Sequence, residues 1–164
     1  MEWALEILVE EGYRYDSSIF PISRPDYGYP KAPPSPVMLH TASGELLELP
    51  LTTTLVAGLR LPAAGGGYLR QLPFGLTLEA FSQWGELGVS AVLYTHPWEI
   101  DPEQPRLPAS LITRLRHYRN LSRTLPRLET LLDKFKFTSV ADRYGEALRA
   151  TAPSELSEPT QPAA

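Results

Sequence analysis

His96 stands at the end of a hydrophobic run, Ser90–His96 (SAVLYTH), and is followed at once by Pro97, Trp98 and Glu99. An imidazole changes charge near neutral pH, so it can donate or accept a proton in catalysis. Pro97 disfavours helical geometry at the residue before it, which predicts that His96 stays extended at the carboxyl end of a strand. Two interpretations follow: a hydrogen-bonded histidine that ends a core strand, or a histidine that the strand delivers to a site.

Asp16 repeats this arrangement, because it ends a short predicted strand that starts at Tyr13 and is followed by two serines. In an open α/β sheet or barrel the carboxyl ends of the strands carry the chemistry. A carboxylate at that edge could orient a cation or a histidine. The alternative is an Asx turn or a helix cap.

Two further patterns could bind anions or sugars. Gly65, Gly66 and Gly67 precede Tyr68 and allow close backbone approach at a helix start, although the segment lacks both the P-loop lysine and the dinucleotide-binding spacing. A flexible linker is the equal alternative. A basic stripe follows later in the chain and would meet an anionic polymer or form a solvated helix face; it consists of Arg116, Arg119, Arg123 and Arg127.

Composition excludes several classes of function. The net charge of −4 argues against a general nucleic-acid binder. The chain has no cysteine and three histidines without ligand spacing, so we expect it to hold no catalytic metal on its own. The first residues do not form a signal peptide, and no stretch is apolar enough to span a membrane, which predicts a cytoplasmic protein without a membrane segment.

These residues must be positioned by an α/β domain predicted over residues 1–150, followed by a disordered tail, 151–164. The run Ser90–His96 is apolar on both faces, which is typical of a strand covered on both sides in a parallel sheet. The other predicted elements are a helix from Trp3 to a stop at Gly12, a proline-rich loop over Ser17–Pro36, a hairpin over Val37–Leu49, a β-branched segment over Thr52–Val56, a helix over Leu76–Gly88, two helical runs divided near Thr124, a short strand after Phe135, and a last helix with a Ser139–Asp142 cap.

Four motifs, taken in order, resemble the carboxyl-terminal half of a polysaccharide deacetylase of the NodB superfamily: WALEILVEEGYRYDSSIFPI, GGGYLRQLP, YTHPWEIDPEQPR and RLRHYRNLSRT. More narrowly, the chain is similar to the exosortase-associated branch that carries the domain of unknown function 3473. The resemblance covers Trp3 to about Tyr144. It implies a partial deformed (β/α) barrel of the deacetylase type that lacks its amino-terminal strands.

The resemblance also implies roles for individual residues. His96 matches the histidine that protonates the leaving amine when an N-acetyl group is hydrolysed, and Asp16 matches the aspartate that supports the catalytic machinery. Trp98, Tyr68 and Arg70 are then the expected substrate-binding residues. The implied substrate is a polysaccharide of N-acetyl-hexosamine units, and the implied setting is exopolysaccharide metabolism.

Relatives of this type bring zinc or another divalent metal, its ligands and the catalytic base from an amino-terminal half, and this chain shows none of those motifs. We therefore expect the chain alone to be inactive, either as a truncated product or as one part of a protein whose missing half is a second polypeptide. We also expect exposed apolar surface near the first helix. The competing hypothesis is a non-enzymatic module that binds polysaccharide or a partner through the Ser17–Pro36 loop, the glycine turn and the basic stripe.

Overall fold

The structure is a computed structural model that describes residues 2–24 and 27–150. The predicted tail, 151–164, lies outside the described residues. Contacts divide the chain into two compact units. The first comprises the described residues within Met1–Asp16, Met38–Leu47 and Thr138–Ala164, and the second comprises those within Ser17–Val37 and Glu48–Phe137.

The first unit contains two helices and most of a small sheet. Helix α1 (Glu2–Glu10) ends before Gly12, whose positive φ of 83° confirms the predicted stop. Strands β1 (Tyr15–Asp16), β2 (Val37–Thr41) and β3 (Gly44–Glu48) form a sheet in the order β1-β3-β2, and β2 and β3 confirm the predicted hairpin. On α1, Trp3 is 69% exposed and Ile7 45% exposed, in agreement with the expected apolar surface.

Helix α6 (Val140–Ala150) completes the first unit and begins at the predicted cap. The Ser139 hydroxyl accepts a hydrogen bond from the Asp142 N–H and donates one to its carboxylate. The short strand predicted just before this cap is wrong, because the chain forms no strand between Phe135 and Ser139.

The second unit consists of a long irregular loop, a two-stranded hairpin and several helices. Strands β4 (Thr53–Val56) and β5 (Leu59–Pro62) pair antiparallel. The helices are α2 (Gly66–Gln71), α3 (Phe74–Glu86), α4 (Leu111–Tyr118) and α5 (Thr124–Lys134), with 3-10 turns at Pro97–Ile100 and Leu121–Arg123. The core is apolar and joins α2, α3 and α5; its buried members are Ala64, Leu69, Phe81 and Leu131.

The prediction of a strand over Ser90–His96 is wrong, because these residues form no strand. The predicted burial is partly confirmed, since Ala91 and Leu93 pack against the core. The backbone groups of the segment are satisfied elsewhere, since Val92 N–H donates to the Thr52 hydroxyl and the Tyr94 carbonyl accepts from Gly66. A β-ladder requires a neighbouring strand, whereas here the partners are the Thr52 side chain and the first residue of α2.

The mixed α/β class is confirmed, with two small sheets and no closed barrel among the described residues. Strands β4 and β5 pair antiparallel, and the partial (β/α) barrel stays a prediction. Within the second unit, the fold brings the extended segment Ser90–His96 together with α2 and α4.

Candidate functional site

A pocket of about 680 Å³ opens on the second unit, within the range of small-molecule sites. Four separate parts of the chain contribute to its wall: the proline-rich loop, the glycine turn with α2, the extended segment Ser90–His96, and the last turn of α4. The lining residues are Arg24, Tyr27, Gly67, Tyr68, Arg70, Gln71, Tyr94 and Arg116. The loop, the turn and the stripe that sequence patterns single out therefore meet at one place.

Three tyrosines give the pocket both flat apolar faces and hydroxyl groups. The Tyr27 and Tyr68 hydroxyls contact each other, and Arg24 lies over the Tyr68 ring with its guanidinium carbon 5.7 Å from the ring centre. Burial, followed by the Tyr68 hydrogen bond, raises the pKa of Tyr27 to about 12. Burial and the nearby Glu99 charge raise the pKa of Tyr94. Tyr27 and Tyr94 therefore keep their protons at neutral pH and remain hydrogen-bond donors.

A buried ion pair forms the floor of this region. Arg70 is 2% exposed, Glu99 is fully buried, and Arg70 Nε donates to Glu99 Oε1 over 3.2 Å. The two terminal nitrogens of Arg70 donate to the carbonyls of Arg119 and Arg116 at 2.8 and 2.9 Å. The Asn120 amide donates back to the Arg70 carbonyl at 3.0 Å. Arg70 thus joins α2 to the end of α4 and to the 3-10 turn that holds Glu99.

The same carboxylate fixes His96. Glu99 Oε2 accepts from the His96 backbone N–H at 3.1 Å, while the imidazole is exposed to solvent. The ring lies parallel to Trp98, with centres 5.9 Å apart, and stands edge-on to Tyr94 at 5.7 Å. Trp98 also stacks on His117 at 4.1 Å. His96 is therefore a solvent-accessible imidazole in a fixed aromatic stack, next to a residue that lines the pocket.

The glycine turn requires glycine for a steric reason. Gly65 has a φ of 87°, and a Cβ there would lie 2.3 Å from Tyr94 Cδ1. At Gly66, with a φ of 51°, a Cβ would lie 2.8 Å from the Tyr94 hydroxyl oxygen. Only glycine combines this backbone geometry with such a close approach. The turn therefore seats Tyr94 against α2, which favours close packing over a flexible linker.

The basic stripe is not one helix face. Arg116 lies in the last turn of α4, whereas Arg127 lies in α5 and donates to the carbonyls of Leu69 and Leu72. Burial, and then the neighbouring Arg123, lower the pKa of Arg127. Cations stabilise helix C-termini, and Arg127 stabilises the C-terminal end of α2 in this way. Arg116 is the member of the stripe that lines the pocket.

The five predicted site residues are divided between the two units. Tyr68 and Arg70 line the pocket, and His96 and Trp98 form the adjoining stack. Asp16 ends β1 in the first unit, where it is half-buried. Its cooperation with His96 stays a prediction. So does the binding of substrate by Arg70, although the bonds described above give its guanidinium a structural role.

Five residues of this site were not among the predicted catalytic and substrate-binding residues, although the sequence placed the last of them in the basic stripe: Arg24, Tyr27, Tyr94, Glu99 and Arg116. A signal was present for Glu99, because an acidic residue three positions after His96 and two after Pro97 is typical of a capped turn. No local signal marks the other four as neighbours, since they come from segments that are distant in sequence.

The described residues do not form a site for the zinc that the resemblance implies. Over residues 2–24 and 27–150, no three His, Asp or Glu side chains come together in a group that could hold a metal ion. No step of the chemistry is therefore assigned to a metal here. No helix in the described part of the chain is both long and apolar enough to cross a membrane.

The fold and the site define an α/β domain with an arginine- and tyrosine-lined pocket beside an exposed histidine. The chain has no match among curated proteins or solved structures. It belongs to the family described as domain of unknown function (DUF3473), whose family model matches residues 17–144. That domain is associated with polysaccharide deacetylase-like proteins.

Proposed function

We propose that this domain is the sugar-binding part of a polysaccharide deacetylase and holds an N-acetyl-hexosamine unit in the tyrosine-lined pocket. The observation that carries the proposal is the combination of three tyrosine rings with hydrogen-bonding groups in one open pocket of about 680 Å³. Aromatic faces pack against the C–H faces of sugar rings, and phenol, amide and guanidinium groups bond their hydroxyls. The association of the family with polysaccharide deacetylase-like proteins supports the same substrate class.

In this proposal His96 is the general acid that protonates the leaving amine. Its imidazole is exposed, and its ring is 5.7 Å from Tyr94, which lines the pocket. A histidine can carry a proton near neutral pH. Glu99 holds the residue through its backbone N–H and Trp98 stacks on its ring, so the imidazole is positioned beside the pocket and stays exposed.

Hydrolysis of an acetamide also needs an activated water and a base to take its proton. We propose that both come from outside the described residues, within the deformed barrel that the resemblance implies. The chain alone should then bind sugar without turnover. Asp16 is retained in this proposal as the supporting carboxylate.

A non-enzymatic binding module is the second candidate. It is favoured by the convergence of the Ser17–Pro36 loop, the glycine turn and Arg116 on one pocket, because these are the features that such a module would use. The two candidates share the binding step and differ in whether acetate is ever released.

The first test is binding. We would titrate the chain with a tetramer of N-acetylglucosamine and follow heat or NMR shifts, using Tyr27→Ala as the pocket variant. Tyr29→Ala is the matched control, since it lies in the same loop with a similar exposure, 46% against 51%, but outside the pocket wall. Tyr27→Ala should weaken binding and Tyr29→Ala should not. Equal behaviour of the two variants would place the sugar elsewhere.

The second test is catalysis, with zinc and a matching amino-terminal half supplied to the chain and acetate release measured. His96→Ala should lower kcat about 10²- to 10⁴-fold, as expected for loss of a general acid, while sugar affinity and Tm stay near the parent values. His40→Ala is the control, because its side chain is 75% exposed and forms an ion pair with Glu45 in the hairpin of the first unit. Binding without acetate release in the completed protein would favour the non-enzymatic module.

A further inference from the structure

The described part of the pocket wall carries more positive than negative charge. Arg24 and Arg116 line it and are both exposed, and neither takes part in an ion pair found among the described residues. Arg70, the third arginine of the wall, is neutralised by Glu99. No carboxylate belongs to the part of the wall that the structure describes. Two guanidinium groups therefore line the open volume, and no carboxylate in the described part of the wall compensates their charge.

The position of Arg116 is fixed by its own backbone. Its carbonyl accepts from Arg70 Nη2 at 2.9 Å and from the Gln71 amide at 2.8 Å. These two bonds anchor the last turn of α4 to α2 at the pocket. Because the anchor uses the carbonyl and leaves the side chain out, the guanidinium of Arg116 is held at the rim with its donors available.

We propose that the pocket selects a negatively charged sugar, and that its natural ligand is a polysaccharide with uronic-acid carboxylates next to N-acetyl-hexosamine units. This inference rests on the proposed function and names the substrate class. A guanidinium presents paired donors that match a carboxylate, and such charge-assisted bonds are stronger than neutral ones. The volume exceeds what a free inorganic anion would fill, and the tyrosine faces suit a sugar ring that carries the charge.

The tyrosines agree with an anionic ligand. Tyr27, with its pKa raised to about 12, and Tyr94, with its pKa also raised, remain neutral at physiological pH. A neutral phenol donates a hydrogen bond to a carboxylate, whereas a phenolate would repel it. The wall thus offers neutral and cationic donors together.

The test compares three tetrasaccharides on the intact chain: alternating glucuronate and N-acetylglucosamine, neutral N-acetylglucosamine, and a sulfated form of the neutral tetramer. The uronate tetramer should bind about tenfold more tightly than the neutral one at low salt, the effect of about one charge-assisted bond. This preference should shrink as salt screens the charges. A sulfated tetramer that binds better than the uronate would overturn the carboxylate assignment.

Arg116→Gln and Arg24→Gln should each remove most of the uronate preference, measured as the ratio of the uronate affinity to the neutral affinity within each variant. Arg114→Gln is the matched control, since Arg114 is an exposed residue of the same helix that does not line the pocket. If Arg114→Gln has the same effect, the preference comes from the overall electrostatic potential of the protein and not from the pocket, and the inference is wrong. Competition by inorganic phosphate as strong as by the uronate tetramer would also overturn it.

The two proposals fail in distinguishable ways. If the neutral tetramer binds in a manner that depends on Tyr27 and the uronate tetramer is no better, the charge inference fails and the sugar-binding proposal stands. If neither tetramer binds, both fail. All the substituted side chains are exposed, so circular dichroism should show folded variants throughout.

Discussion

Replacing Glu99 by glutamine should destabilise the second unit more than almost any other single-atom exchange in the chain. The carboxylate is fully buried and accepts from two donors, Arg70 Nε at 3.2 Å and the His96 N–H at 3.1 Å. An amide has one oxygen and one NH₂ group. It can therefore satisfy one of these donors only, and it turns a donor toward the other.

The magnitude follows from two losses. A buried donor left without an acceptor costs about 1 to 3 kcal/mol. Arg70, which is 2% exposed, also loses the negative charge beside it, and breaking a buried ion pair from one side costs about 3 to 5 kcal/mol in total. The carbonyls of Arg116 and Arg119 still accept hydrogen bonds from Arg70, which keeps the expected loss of stability near the lower end of this range. We expect a loss of about 3 kcal/mol, a large part of the 5 to 15 kcal/mol typical of folded domains.

The assay is urea unfolding, followed by tryptophan fluorescence and by circular dichroism. With a slope of about 2 kcal/mol per molar urea, the midpoint of the affected transition should fall by roughly 1.5 M. The control is Glu103→Gln, an exposed residue near the same turn, which should change stability by less than about 0.5 kcal/mol. A shift for Glu99→Gln below about 1 kcal/mol would refute the reasoning, because the pair would then behave as a surface ion pair.

A double substitution separates the pair from its surroundings. Arg70→Met combined with Glu99→Leu removes both charges and leaves apolar groups in the buried space. Such replacements are often far less damaging than removal of one partner. The double variant should therefore be more stable than Glu99→Gln, and its His96 ring signals should still move, since leucine at position 99 offers no acceptor for the His96 N–H. Equal destabilisation in the two variants would mean that packing, and not charge, controls this site.

Two further predictions concern the pocket. Gly65→Ala should destabilise the protein by about 2 kcal/mol or more, because of its positive φ and the contact with Tyr94, whereas Gly75→Ala, with nothing within 4 Å of its Cβ, should be neutral or slightly stabilising in thermal unfolding. The pKa of Tyr27 is about 12 in the folded protein against an ordinary value of 10.0, so its contribution to stability is complete below pH 10 and is lost as the pH rises toward 12. The urea midpoint should therefore fall less over this pH range in Tyr27→Phe than in the parent, and an equal fall would contradict the assigned pKa.

Elements with strong local signals could be predicted from the sequence. The apolar spacing of α1 with its stop at Gly12, the β2–β3 hairpin and the Ser139 cap all depend on neighbouring residues only. The β4–β5 hairpin was missed for a local reason. Its turn places Ala57 at a φ of 49° before Gly58 at 79°, and alanine is not a residue that signals such a turn.

The error at Ser90–His96 has a different origin. An apolar run of this length predicts a buried extended segment, and Ala91 and Leu93 are packed against the core as that pattern requires. Whether the segment becomes a strand depends on what lies beside its backbone. Here the neighbours are the Thr52 hydroxyl and the Gly66 N–H, which belong to distant parts of the chain and leave no trace in the run itself.

The position of His96 combines both kinds of information. Pro97 keeps His96 extended, with a ψ of 145°, and the Glu99 carboxylate closes the turn onto its N–H, so residues 96 to 99 encode their own conformation. That turn would bury an uncompensated carboxylate without Arg70, which lies 29 positions earlier in the sequence. Because Arg70 also binds the carbonyl of Arg116, the buried pair joins the histidine to the rim of the pocket. A substitution in this pair should therefore alter both the His96 imidazole and the position of Arg116 at the pocket rim, although these residues are distant from each other in the sequence.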